Sequence, residues 1–187
     1  AREYGLRCLA LNTGFRSRQD LAQGRVNDRA VRQLGTEDLP CLEQVLVAWV
    51  RWIRLRGPAG ALDLEALAVM GRRATELGPT SWVGPWSEAM AIVLEPGPVS
   101  RDLKRSSALF LTAIRAEPGL AEPTLDRARY QVLLDADTSA ELQASLRELQ
   151  AVYPEEPRGA WELENRAARA LAQAWLAEPE ALWLERW

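Results

Sequence analysis

The sequence contains no histidine, and this absence excludes several classes of chemistry. Histidine general bases, serine–histidine–aspartate and cysteine–histidine nucleophiles, and nearly all zinc sites depend on an imidazole side chain. Glycine-rich phosphate loops and dinucleotide fingerprints are also missing from the sequence. Scattered carboxylates without a defined pocket do not indicate a general acid and base. We therefore predict that the protein is not an enzyme and that it uses no cofactor and no metal.

Long apolar runs and strand patterns are missing as well. No run approaches the ~20 apolar residues of a membrane-spanning helix, and no extended stretch alternates apolar and polar positions as a strand would. Alanine, leucine, arginine and glutamate are abundant, and all four favour helices. A net charge of −3 gives no indication of a nucleic-acid partner. The composition predicts an all-α protein, and the length of 187 residues favours a single domain over 1–187.

Only two cysteines are present, Cys8 and Cys41, and they lie in separate predicted helices. A disulfide between them requires Cα atoms within about 7 Å, so the two helices would have to pack closely. Two buried free thiols are the interpretation that the sequence favours, and pairing is the alternative. The cysteines therefore leave the cellular compartment undecided.

Apolar periodicity and turn residues predict eight or nine helices in antiparallel succession. The helix over 38–56 is the most apolar, and we expect it at the centre of the fold with neighbours on two faces. Three parts are expected in the domain: N-terminal helices with this tryptophan-rich helix over 1–56, repeat-like helix pairs over 57–157, and a C-terminal helix with its tail over 158–187. The predicted helices span 1–11, 17–34, 38–56, 63–77, 85–93, 101–117, 123–134, 139–153 and 158–177.

The stretch from Arg101 to Pro118 has the spacing of the second helix of a tetratricopeptide repeat. Small residues and an aromatic recur at i, i+4 and i+7, and a proline closes the helix. Similar endings occur at Pro79 and Pro154, and the three prolines are spaced slightly wider than the ~34 residues of an ideal repeat. We predict a degenerate tetratricopeptide-like array. The core positions are Ser106, Phe110 and Ala113 in this helix, Ala74 before Pro79, and Leu142, Leu146 and Leu149 before Pro154.

Several local patterns follow one another along the chain. They are Arg-x-Tyr-x-Leu-Arg in the opening helix, AWVRWIRL at Ala48 to Leu55, RRATELGPTSWVG at 72–84, Pro96-Gly97, the Phe110 helix, Ala128-Arg129-Tyr130 followed by Asp135, and Glu164-Asn165-Arg166-Ala167. In this order they resemble the T component of tripartite ATP-independent periplasmic (TRAP) transporters, called TatT. The chain lacks the histidines that such proteins often carry near 82–90 and 101–110.

This resemblance implies a periplasmic, usually lipid-anchored helical protein with a central channel. Such a protein associates with the solute-binding P component, assembles as a homotrimer and takes up a hydrophobic or carboxylate-bearing ligand without catalysis. A lipid anchor would require a cysteine upstream of Ala1, and no signal peptide is visible in the sequence. The alternative is a generic tetratricopeptide-type adaptor that binds a peptide or protein in its concave groove.

Tryptophan is the unusual component, with eight residues while phenylalanine and tyrosine are scarce. Trp82 and Trp86 flank Gly84-Pro85 at an irregular helix start, where side chains often face an opening. We consider them candidates for binding a ligand or a partner. Filling gaps between helices is the alternative for both rings.

Two further pairs of polar residues are candidates for the same role. Arg129 and Tyr130 precede Asp135, and a buried arginine can hold a ligand carboxylate through two hydrogen bonds. Pairing of Arg129 with a glutamate of a neighbouring helix is the alternative. Glu164 and Asn165 interrupt an apolar helix face, where they either line a channel or satisfy the end of a helix.

Overall fold

The computed structural model describes residues 2–18, 26–96, 102–131, 139–152 and 161–178. Within these ranges the chain forms ten α-helices, two 3-10 helical turns and one π-helical turn, and these ranges contain no strand. The predicted all-α array of packed helices is therefore confirmed. Closure of the array around a central channel stays a prediction.

The helices form two compact units, residues 1–116 and 117–187. The division falls inside the stretch 57–157, and the single domain over 1–187 stays a prediction. The first unit contains α1 (Arg2–Leu9), α2 (Thr13–Arg18), α3 (Asp28–Val31), a 3-10 turn (Thr36–Asp38), α4 (Leu39–Arg56), a second 3-10 turn (Gly57–Asp63), α5 (Leu64–Leu77), α6 (Val83–Val93) and α7 (Leu103–Ala116). The second unit contains α8 (Glu122–Asp126), a π-helical turn (Arg127–Gln131), α9 (Ser139–Val152) and α10 (Glu162–Ala177).

The predicted helix over 17–34 is wrong, because α2 begins earlier, directly after Asn12, and Asn27 leaves helical geometry before α3. Asn12 accepts a hydrogen bond from the backbone N–H of Phe15 at 2.9 Å, at the start of α2. Asn27 has an extended backbone, with φ −109° and ψ 153°, and its side-chain oxygen accepts from the N–H of Ala30 at 2.8 Å. Asparagine competes for backbone N–H groups in this way and favours helix starts over helix interiors. The described part of the chain therefore has ten helices instead of eight or nine.

Helix α4 lies at the centre of the first unit, as its apolar sequence predicted. It packs against α1, α5 and α6. Gly5 of α1 lies directly against Val45, where a Cβ atom would overlap the valine side chain. The two backbones therefore approach closely at this point. The buried side chains of α4 are Leu42, Val45, Leu46, Trp49, Val50 and Ile53.

A disulfide bond joins Cys8 of α1 to Cys41 of α4, with the two Cα atoms 5.9 Å apart. The interpretation of both cysteines as free thiols is therefore wrong. The sequence did not show that α1 and α4 are direct neighbours, which is the condition that disulfide geometry imposes. The close contact of Gly5 with Val45 creates that condition.

Two glycines allow α5 and α6 to pack closely. A Cβ atom on Gly84 would lie 2.6 Å from the backbone nitrogen of Thr75, and one on Gly71 would lie 3.1 Å from the backbone nitrogen of Glu88. The absence of a side chain at both positions lets one backbone approach the other. As a result, the middle of α6 lies directly against α5.

The core positions predicted from the repeat spacing are confirmed wherever the structure describes them. In α7 the residues Ser106, Phe110 and Ala113 are buried, and this helix packs on α6. The side chain of Leu142 and the whole of Pro154 lie outside the described part of the chain. The other buried positions are Ala74, Leu146 and Leu149.

The second unit has its own core, formed by α8, α9 and α10. The predicted helix over 123–134 is α8 at its start and then a π-helical turn, Arg127–Gln131. The rest of that helix, as well as Trp183 and Trp187, lies outside the described residues. The buried cluster consists of Ala121, Leu125, Ala128, Leu146, Leu149, Ala168, Ala172 and Trp175.

Candidate functional site

The two candidate tryptophans contact each other at the start of α6. Their ring centroids are 5.2 Å apart, and the rings are tilted by 54°. Trp86 has no exposed surface and belongs to the core of the first unit, whereas Trp82 is half-buried. Trp86 therefore fills space between helices, and Trp82 is the ring of the pair that reaches solvent.

Arg129 and Tyr130 lie in the π-helical turn of the second unit. The guanidinium carbon of Arg129 is 5.0 Å from the centre of the Tyr130 ring and 5.4 Å from the centre of the Trp175 ring. These distances are typical of cation–π contacts. The arginine thus links the π-helical turn to α10. Asp135, the predicted neighbour of this pair, lies outside the described residues.

Asn165 of α10 is buried and binds the turn that precedes α8. Its side-chain nitrogen donates to the carbonyl of Gly119 at 2.7 Å, and its oxygen accepts from the N–H of Ala121 at 2.8 Å. Both ends of the amide are therefore occupied by backbone groups that would otherwise lack a partner. Glu164, the adjacent candidate, is half-buried.

The six sequence candidates do not form one cluster within a unit. Trp82 and Trp86 belong to the first unit, and the other four belong to the second. In the second unit, Arg129 contacts the C-terminal half of α10 through Trp175, while Asn165 lies in the N-terminal half.

An apolar groove that the sequence did not predict lies in the first unit, with a volume of about 470 Å³. We call it the Leu62 groove. It runs between the 3-10 turn Gly57–Asp63, the first turns of α5 and the end of α6. The Leu62 side chain is 94% exposed. The lining residues are Ala61, Leu62, Leu64, Glu65, Ala68, Ala91, Ile92, Glu95 and Pro96.

The lining of the Leu62 groove is mostly apolar and includes two acidic residues. Glu65 and Glu95 are the two charged residues of the lining. Glu65 is exposed and has no ion pair within the part of the chain that the structure describes. This arrangement suits an apolar side chain flanked by lysine or arginine. The sequence signal was an apolar Ala61-Leu62 pair after the break Gly57-Pro58-Ala59-Gly60.

A buried carboxylate, Glu88, joins three helices of the first unit. Its side chain is 7% exposed and forms a close ion pair with Nη2 of Arg105 in α7. Nε of Arg72 in α5 lies 3.9 Å from the same Glu88 oxygen. Burial raises the pKa of Glu88, because desolvation outweighs the opposing effect of Arg105 and then of Arg72.

Neither a metal cluster nor a membrane-spanning helix was found in the described ranges. No group of three or more aspartate, glutamate or cysteine residues there is arranged to hold a metal ion. None of the helices in these ranges has the length and apolar character needed to cross a bilayer.

Comparisons with known proteins gave no match: the chain matches no family model, no curated protein and no solved structure.

Proposed function

We propose that the protein is a non-enzymatic accessory component of a tripartite ATP-independent periplasmic transporter. In this proposal it binds the solute-binding P component, self-assembles as a homotrimer and takes up a small hydrophobic or carboxylate-bearing ligand. The ordered sequence patterns similar to TatT support this role. The all-α array of packed helices agrees with the helical fold that those patterns imply.

The observation that carries partner binding is the Leu62 groove. A leucine that is 94% exposed beside an apolar groove leaves apolar surface in water. Covering such a side chain stabilises a complex by roughly 1.5–3 kcal/mol. Glu65 would attract a basic residue on the partner, because it is exposed and has no ion pair within the part of the chain that the structure describes.

The Cys8–Cys41 disulfide supports the proposed periplasmic location. Disulfides form and persist in oxidising compartments such as the bacterial periplasm and are rare in the cytosol. A lipid anchor attached upstream of Ala1 is part of the same proposal.

The second candidate function is a generic adaptor that binds a peptide in a groove. The Leu62 groove favours this function too, because a short apolar peptide with basic flanks has the chemistry that the groove accepts. The two functions differ in what occupies the groove, a folded solute-binding protein or a flexible peptide.

The test is light scattering coupled to size exclusion, together with native mass spectrometry, on the whole chain alone and mixed with TRAP solute-binding proteins. We expect a homotrimer and a defined mixed complex. Leu62→Asp should abolish the mixed complex because it places a charge in the groove. Leu11→Asp is the control, since Leu11 is 80% exposed and lies outside the groove.

A monomer that binds none of these proteins would contradict the transporter role. A mixed complex that Leu62→Asp and Leu11→Asp weaken equally would show that the Leu62 groove is not the contact surface. Binding of apolar, basic peptides by the monomer, lost in Leu62→Asp, would identify the protein as the adaptor.

A further inference from the structure

A polar cleft of about 450 Å³ lies between α3 and α5 in the first unit. We call it the arginine cleft. Its size falls within the roughly 300–1,000 Å³ range of small-molecule sites. On α5 the lining residues share one face, at positions i, i+3, i+4 and i+7. The lining consists of Asp28, Val31, Arg32, Val69, Arg72, Arg73 and Glu76.

Two of the three arginines are already paired with the two carboxylates of the cleft. Nε of Arg32 is 2.7 Å from Oδ2 of Asp28, and Nη1 of Arg73 is 2.8 Å from Oε2 of Glu76. Arg73 also donates from Nε and Nη2 to the carbonyl of Leu34, at 3.1 and 2.6 Å. These bonds hold the Arg73 guanidinium in place, and it keeps an N–H on each terminal nitrogen for a ligand.

Arg72 differs from both neighbours because it has no hydrogen-bond acceptor within the described part of the chain. Its closest carboxylate there is Glu88, at 3.9 Å, which exceeds hydrogen-bonding distance. Glu88 is held more closely by Arg105. The Arg72 side chain is 54% exposed. Three arginines and two carboxylates therefore leave the cleft with an excess positive charge centred on Arg72.

We propose that the arginine cleft binds a small organic anion whose carboxylate or phosphate group is held by Arg72. The planar guanidinium presents two parallel N–H groups that match the two oxygens of such a group. The remaining N–H groups of Arg73 add donors on the same face of α5. Val69 is half-buried and is the apolar side chain of the lining that the short carbon skeleton of the ligand would contact.

This inference rests on the ligand uptake in the proposed function and names its site and chemistry. It does not depend on the partner protein, since the arginine cleft and the Leu62 groove share no residue. Its test uses the whole chain without any partner. Anion binding and partner binding can therefore fail independently of each other.

The experiment is isothermal titration calorimetry of the whole chain in low-chloride buffer, with inorganic phosphate in one arm and succinate in the other. We compare the wild type with Arg72→Gln, Arg72→Lys and the control Arg166→Gln. Arg166 is 62% exposed and pairs with Glu162 on α10, so it matches Arg72 in exposure but lies outside the cleft. Circular dichroism checks that each variant is folded.

We expect saturable binding, weakened about tenfold or more in Arg72→Gln, because a charge-assisted pair is lost. Arg72→Lys should recover part of this loss, since it restores the charge but not the planar fork. Arg166→Gln should bind like the wild type. Which arm binds identifies the anion as a phosphate, a carboxylate or either one.

Two results would overturn the inference. One is the absence of saturable heat in either arm up to about 10 mM anion. A dissociation constant above this concentration is too weak for a dedicated binding site. The other is an equal loss of affinity in Arg72→Gln and Arg166→Gln, which would show general attraction to surface charge.

Discussion

The carboxylate of Glu88 on α6 is buried against the guanidinium of Arg105 on α7, and the two form a close ion pair. Arg72 of α5 approaches the same oxygen at 3.9 Å. One acidic group thus links three successive helices. Because burial raises the pKa of Glu88 despite both arginines, this link becomes sensitive to pH.

The first prediction concerns the pH dependence of stability that Glu88 causes. Its folded-state pKa lies above the ordinary value of 4.5, so the folded protein holds this proton to higher pH than the unfolded chain does. The contribution of Glu88 to stability is fully present below the pKa that Glu88 has in the unfolded chain. It is lost as pH rises through the pKa that Glu88 has in the folded protein. The free energy of unfolding of the wild type minus that of Glu88→Gln should therefore fall as pH rises from about 4.5 through the raised folded-state pKa of Glu88.

The measurement is urea unfolding of both proteins across that pH range. Arg105→Gln provides a second comparison, because removing Arg105 takes away the larger of the two effects that lower the Glu88 pKa. When Glu88→Gln is compared in the Arg105→Gln protein, the fall in the stability difference should extend to higher pH. If the free energy of unfolding of the wild type minus that of Glu88→Gln instead grows with pH, the ion pair with Arg105 outweighs desolvation in its effect on the Glu88 pKa.

The second prediction concerns the Cys8–Cys41 disulfide, which closes a loop between residues separated by 33 positions. A cross-link over such a loop restricts the unfolded chain and is worth roughly 3–4 kcal/mol. The double variant Cys8→Ser/Cys41→Ser should lose about that much free energy of unfolding. Reductant should destabilise the wild type and leave the double variant unchanged. Thiol titration of the denatured, unreduced protein should find no free thiol, and two reactive thiols would restore the interpretation from the sequence.

The third prediction tests the close packing of α5 on α6. A methyl group on Gly84 would lie 2.6 Å from the backbone nitrogen of Thr75, which cannot move without displacing α5. Gly84→Ala should therefore lower stability by about 1–3 kcal/mol. At Gly119 the nearest atom is the flexible end of the Glu117 side chain, at 3.3 Å, so Gly119→Ala is the control. Equal effects of the two substitutions would argue against the close approach of α5 and α6.

The parts of the fold that the sequence predicted depend on local signals. Gly78 and Pro79 follow the end of α5, and the predicted spacing in α7 identified Ser106, Phe110 and Ala113 as buried. Such features follow from helical periodicity and from residues that interrupt helices. They need no knowledge of which helices are neighbours.

The parts that the sequence missed depend on tertiary contacts or on competition between local structures. The disulfide requires α1 to lie beside α4, and the Leu62 groove requires a 3-10 turn to lie beside the end of α6. Asn27 could have been recognised as a helix start, because asparagine favours this position over the interior of a helix. Likewise, the burial of Trp86 is decided by the packing of α6 and not by its neighbours in sequence.

The fourth prediction separates a structural role of Asn165 from a role in binding. Asn165→Leu would leave the Gly119 carbonyl and the Ala121 N–H without the partners that they have at 2.7 and 2.8 Å. Each unsatisfied buried group costs about 1–3 kcal/mol, so urea unfolding should show a loss of roughly 2 kcal/mol or more. Glu164→Ala is the matched control on the same helix and should stay within about 0.5 kcal/mol of the wild type. Asn165→Leu with unchanged stability but weakened ligand or partner binding would instead assign this residue to a binding site.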